Sequence, residues 1–165
     1  MDFSIGTDES LNINDRELSE LLTQVYVEGG FTEQELATSL FEASMVRKRG
    51  KIIGARENKQ SILAGIAINV TPDSPSCQIA KKNEIEMHLL AVKSAYRRNG
   101  LGKRLVEASI TDAKQEGYSK MILWTQTMMK AAHSLYESAG FVHIVEKDFS
   151  RNGRNFRIYE RELNI

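Results

Sequence analysis

The sequence predicts an α/β (α+β) fold: one domain over residues 1–165, with a mixed, mostly antiparallel sheet of six to seven strands flanked by about four helices. Three observations point there. Apolar residues recur at helical spacing in some stretches and in alternation or short runs in others. A strand, a glycine-bearing turn, a helix and a second strand follow one another from Glu84 to Trp124, the order of a parallel pair joined by a right-handed crossover. The 165 residues carry 41% hydrophobic and 27% charged side chains, ordinary values for a chain that buries one core.

The first helix is expected where Leu18, Leu21, Leu22 and Val25 share a face, with Asn14 and Glu17 as a capping box at its start. Glu28-Gly29-Gly30 ends it. Thr32 and Glu35 predict the start of a second helix reaching about Arg47, with Phe31 stapled onto Leu36. Lys51 to Arg56 and the apolar run Ser61 to Val70 read as antiparallel strands around Glu57-Asn58-Lys59-Gln60. Both prolines lie in Thr71 to Ser76, a loop within the domain that is expected to be mobile as far as Lys82. From Glu84 the chain alternates, placing Ile85, Met87 and Leu89 on one face and Glu84, Glu86 and His88 on the other. A helix follows from about Gly100 to Glu116 and a short strand at Met121 to Trp124. Another helix carries Met128, Ala132, Leu135 and Ala139 on one face. Phe141 to Glu146 and Asn155 to Arg161 are expected as closing strands around Arg151-Asn152-Gly153-Arg154.

Composition excludes several function classes. With 22 basic and 22 acidic residues the formal charge is zero, so neither nucleic acid nor an anionic membrane is an expected partner, although a local basic patch could hold a phosphorylated ligand. The start has neither a basic nor an apolar leader pattern, and no stretch approaches the ~18 apolar residues of a membrane span. Cys77 is the one cysteine, which rules out an intrachain disulfide and favours a reducing, cytoplasmic setting. Three histidines and one cysteine without ligand spacing predict no metal site. His133 is expected at the surface, and Asn69-Val70-Thr71, though it matches a glycosylation acceptor, carries almost no weight.

The segment Arg97-Arg98-Asn99-Gly100-Leu101-Gly102 carries the chemistry. The first N–H groups of a helix are unpaired and its dipole favours an anion there, while glycines at 100 and 102 allow close backbone approach. A dinucleotide fingerprint would need a third glycine, and a nucleotide-hydrolase loop would need a hydroxyl after Lys103 where Arg104 stands.

Leu89-Leu90-Ala91-Val92, Arg97-x-x-Gly100-x-Gly102 and, about thirty residues on, Ala132-His133-Ser134-Leu135-Tyr136 through Phe141 together resemble the GCN5-related N-acetyltransferase (GNAT) family. The resemblance covers Leu63 to Phe141 in detail and the remainder in order and length. It implies a sheet whose one parallel strand pair splays into a wedge for acetyl-CoA. Backbone groups of Leu90, Ala91 and Val92 would hold the pantetheine arm and polarise the thioester. Arg97, Arg98, Asn99, Gly100, Leu101, Gly102 and Lys103 would bind the pyrophosphate. It also implies Tyr136 as the acid that protonates the departing thiolate, and Glu86 or ordered water as the base. Met129 stands where relatives carry asparagine, so Thr125, Gln126 or Thr127 would have to supply the missing hydrogen bond. The implied partner is a primary amine of a small molecule or peptide, with Glu84 and Glu86 favouring a cationic one, and a homodimer is an allowed assembly. Trp124 is a core aromatic or, if it reaches the wedge, a wall of the acceptor pocket. Two other readings stay open: a non-catalytic acyl-CoA-binding regulatory module, and a partner-binding domain in which the turn is incidental.

Overall fold

A computed structural model describes residues 1–163. In order they form β1 (Phe3–Thr7), α1 (Asp15–Glu28), α2 (Gln34–Leu40), α3 (Ala43–Arg49), β2 (Lys51–Glu57), β3 (Ile62–Val70) and β4 (Glu84–Val92). After these come α4 (Leu101–Gln115), β5 (Lys120–Gln126), α5 (Lys130–Ser138), β6 (Val142–His143), β7 (Phe149–Arg151) and β8 (Arg154–Glu162). The strands make one sheet in the order β1-β2-β3-β4-β5-β8-β6, with β7 paired to β8. Only β4 and β5 run parallel among the described strands.

α1, α2 and α3 cover one face, where Leu18, Leu21, Leu22, Val25, Ala37 and Val46 meet Ile52, Ile66 and Ile68. α4 covers the other with Leu101, Leu105, Val106, Ile110 and Ala113, joined by Tyr136 of α5. Because both faces are covered, β2 and β3 read as nearly continuous apolar runs. The capping box forms as expected, with Asn14 accepting from the Glu17 amide and Glu17 accepting from that of Asn14.

Four expectations change. Phe3–Thr7 adds an edge strand, antiparallel to β2, that the sequence reading passed over. The single helix expected from Thr32 to Arg47 is two: α2 has no side-chain cap, Leu36 is exposed rather than stapled, and the chain turns at Phe41-Glu42. That break lets Phe41 bury against Tyr26, ring centroids 5.5 Å apart, while Ala43 and Val46 still reach the core. Toward the carboxy end, Met128 is exposed and precedes α5, and the strand expected at 141–146 shrinks to Val142–His143. It still pairs with β8, and β7 pairs with β8 as well, returning into it through Asn152 and Gly153 at φ 52° and 75°, the left-handed pair of a tight hairpin turn. Lastly, the alternation in β4 breaks. Ile66 pairs with Ala91 and Ile68 with His88, so Ala67 stands opposite both Leu89 and Leu90, and Leu89 takes φ 50°. This bulge moves Leu89 to the α1 face, away from Ile85 and Met87.

β4 and β5 pair only from Glu84–Lys120 to Glu86–Ile122. Beyond that point β4 stays on β3 as far as Val92 and β5 stays on β8 as far as Gln126. The two strands part there, and the sheet opens into a wedge.

Candidate active site

Two concavities occupy the wedge. The larger, about 660 Å³, runs along the mouth of α4 and α5 and is lined by Val92, Arg97, Arg98, Gly100, Leu101, Gly102, Lys103 and Leu135 among others. The smaller, about 180 Å³, lies on the α1 side and is lined by Tyr26, Arg49, His88, Leu89, Trp124 and Tyr136 together with Phe41, Met87 and Phe156. They share Leu90 and Met129.

The turn before α4 is built to receive an anion. Gly100 caps the helix in a left-handed conformation, φ 72°, where a side chain would be strained, and a Cβ there would meet nothing within 4 Å. Arg98 also has positive φ, 65°. The first bond of the helix runs from the Arg104 amide to the Gly100 carbonyl at 3.1 Å, and none of the N–H groups of residues 98 to 103 donates to another described residue. These donors sit at the positive end of the α4 dipole. Gly102 is small for a second reason, since a Cβ would come within 3.1 Å of Leu135. Asn99 is the exception among the expected phosphate residues: its side chain turns back to the carbonyls of Tyr96 and Arg97 and shapes the loop.

On the strand side, the Leu90 carbonyl accepts from the Tyr26 hydroxyl at 3.0 Å, and the Val92 carbonyl from Arg97 Nε at 3.1 Å. The Ala91 side chain is buried in the α1-side core, so only its backbone is placed to act. Tyr136 is buried, packs edge-on against Phe141 at 5.9 Å, and its hydroxyl has no hydrogen-bond partner among the described residues. Burial raises its pKa well above the usual phenol range, with the nearby Tyr26 adding to the effect.

Glu86 does not line either concavity. It is fully buried, and its carboxylate accepts from the amides of Gln78, Ile79 and Ala80 at 2.6–3.2 Å, from the Cys77 thiol at 3.3 Å, and from His88 Nε2 at 2.8 Å. The segment expected to be mobile is therefore tied down through residues 77–80. Burial alone would raise the Glu86 pKa, but His88 and the backbone donors outweigh it and hold it at about 2. Glu84 accepts from the Lys81 amide at 3.1 Å, which leaves no acidic side chain facing the smaller cavity.

Several contributors were missed or misread. Tyr26 falls at the i+8 position of the α1 stripe, where an aromatic reads as core, and the bulge that brings Leu90 to it leaves no mark in the sequence. His133, expected at the surface, is buried with Nε2 3.0 Å from the Gln126 carbonyl. Trp124 does reach the wedge, its ring edge-on to His88 with centroids 4.7 Å apart. Thr125 is committed to Met129 Sδ and Gln126 to the Phe31 carbonyl and Arg154, while Thr127 is exposed and lines neither concavity. Asn69 is buried, which removes it as a glycosylation acceptor. Among the described residues no group of three His, Cys, Asp or Glu could hold a metal ion, and no helix is long and apolar enough to cross a membrane.

Comparison with known proteins places this geometry. The model of the acetyltransferase (GNAT) family matches residues 16–141, and the chain belongs to that family. Human N-acetyltransferase 8 is 28% identical over 113 residues, 67% of this chain and 48% of its own length. The chain spans about half the length or less of such curated relatives. A Staphylococcus aureus acetyltransferase of the GNAT family has the same fold, with TM-score 0.76, 17% identity and 99% and 100% of the two chains covered. A Bacillus subtilis acetyltransferase solved in complex with CoA superposes with TM-score 0.70 at 20% identity, covering 99% and 100%.

Proposed function

We propose that the protein is an N-acetyltransferase that moves an acetyl group from acetyl-CoA to a primary amine of a small molecule or peptide. The observation that carries this reading is the junction at Leu90 and Met129, where a groove ending in unpaired helix amides opens into a small cavity beside Tyr136. The N–H groups of residues 98–103, with Arg97, Arg98 and Lys103, hold the pyrophosphate. The thioester then sits at the junction, and its carbonyl lies at the bulge, where Leu89 and Leu90 together stand opposite Ala67. We assign the Leu90 amide there to the developing oxyanion, a placement that works because the donor is fixed before reaction.

The amine arrives from the smaller cavity. An alkylammonium of pKa about 10.4 must lose a proton before it can attack. Glu86 is a poor choice for that base: at about 2 its carboxylate is weakly basic, and its oxygens are already taken. Water at the cavity mouth takes the proton, and Glu86 acts as a positioning residue for His88. The amine nitrogen bonds to the thioester carbon and gives up its second proton to water, the C–S bond breaks, and the thiolate takes the Tyr136 proton, which water later replaces. Burial keeps the Tyr136 phenol in its protonated form until the thiolate appears beside it. The single free cysteine, Cys77, fits work in a reducing, cytoplasmic setting.

Free-thiol release from acetyl-CoA, with a panel of amines, tests the reading. Tyr136→Phe is expected to lower kcat by about 10²-fold or more while leaving the Kd for acetyl-CoA unchanged. An unchanged kcat removes Tyr136 as the acid. Tight acetyl-CoA binding without turnover on any amine would favour a non-catalytic acyl-CoA-binding module, the reading that Met129 in place of asparagine leaves open.

A further inference from the structure

Arg49 is the last residue of α3, and it lines the smaller cavity. Its environment is unusual for a cation. No carboxylate lies within 4.0 Å of it among the described residues, and no Asp or Glu lines the cavity, whose other walls include Leu40, Phe41 and Trp124. One of its five N–H donors is used, from Nη1 to His88 Nδ1 at 3.3 Å. That bond has a definite sense: His88 Nε2 donates to the buried Glu86 carboxylate at 2.8 Å, which leaves the lone pair of Nδ1 to accept from Arg49. The relay ends in a carboxylate already satisfied by the backbone of residues 78–80. It fixes the guanidinium in orientation without giving it a counter-ion at contact distance. Desolvation of the group, which works against its charge, is not repaid inside the protein.

We infer that Arg49 is the anchor for a carboxylate on the acceptor, so that the substrate class is small amino acids or similar amines carrying a carboxylate. A planar guanidinium with a free fork of donors matches a carboxylate in bidentate geometry. The cavity, about 180 Å³, admits a small molecule rather than a folded partner. The sign of the charge reverses the expectation drawn from Glu84 and Glu86: the acidic side chains are spent internally, and the free charge facing the acceptor is positive. This inference rests on the acetyl-transfer reading and narrows it.

The experiment compares free L-amino acids with their primary amides. Thiol release from acetyl-CoA is measured for each pair, and calorimetry of the same compounds is run on the CoA-loaded protein. The acids are expected to exceed their amides in kcat/KM by about 10²-fold, the scale of one lost charge-assisted hydrogen bond. Arg49→Met should erase that preference through KM, with kcat little changed and the Kd for acetyl-CoA unaltered, and Arg49→Lys should restore part of it. A variant whose loss was merely structural would weaken acetyl-CoA binding or lower the amide rates as well. Amides equal to or better than acids, a preference that survives Arg49→Met, or failure of every amino acid to bind the CoA-loaded protein would each overturn the inference. Failure to bind acetyl-CoA at all would instead sink the acetyl-transfer reading beneath it.

Discussion

At Glu86, burial and hydrogen bonding act in opposite directions on one carboxylate. Desolvation raises its pKa, yet His88, the amides of Ile79 and Ala80 and the Cys77 thiol bring it to about 2 from an ordinary value of 4.5. The difference corresponds to about 3 kcal/mol of folded-state preference for the charged form. The folded value lies below the unfolded one, so this stability is complete above pH 4.5 and is lost as pH falls toward 2. Acid unfolding followed by circular dichroism should therefore steepen in that window for the wild type and flatten for Glu86→Gln, which should itself cost about 2–4 kcal/mol at neutral pH. An unchanged acid limb would mean that the loop at 77–80 does not depend on the charge. Gly100 makes the complementary point. Gly100→Glu puts a strained side chain of like charge at the anion site, and acetyl-CoA affinity should fall by about 100-fold or more while the circular dichroism spectrum persists. Unimpaired binding would count against the groove as the cosubstrate site.

Elements were legible where their signal is local. The Asn14–Glu17 box and the stripe of Leu18, Leu21, Leu22 and Val25 define α1 on sight, because capping and periodicity are properties of the segment itself. The break at Phe41-Glu42 was not legible: α2 and α3 lack side-chain caps, and the chain turns there because of what Phe41 packs against. The β4 bulge is hidden for the same reason, since a residue at φ 50° looks like any other leucine in sequence, yet it decides which way Leu89 and Leu90 face. The turn proposed to hold phosphate was readable as a turn from its glycines and arginines. The acceptor cavity was not, because Tyr26, Arg49, His88 and Phe156 come together from four elements only through the fold. Two outcomes separate local from assembled features. Asn14→Ala should lower stability by about 1 kcal/mol in urea titration and leave acetyl-CoA affinity unchanged. Deleting Leu89 should close the bulge, keep the Leu90 side chain on the α4 side but draw its backbone into the β3 ladder, and abolish thiol release even where the protein stays folded; retained activity would show that the bulge does not place the reacting backbone.

For the whole molecule, one sheet does two jobs. Where β4 and β5 pair, from Glu84–Lys120 to Glu86–Ile122, it is a closed core; beyond that they part, and the exposed edge of β4 becomes the floor of the site. The helix packing that covers the sheet also fixes the site. α4 buries Leu101 and Leu105 and in doing so presents its amino-terminal amides at the mouth of the wedge. α1 buries its leucine stripe and delivers Tyr26 to the Leu90 carbonyl. In the proposed reaction these unpaired amides hold the pyrophosphate of acetyl-CoA. Amide hydrogen exchange, read with and without saturating acetyl-CoA, measures it directly. Residues 98–103 should exchange freely in the unliganded protein and slow by at least about tenfold on binding, with smaller protection at Leu90 to Val92. Acetyl-CoA that binds and leaves exchange at 98–103 unchanged would contradict the account.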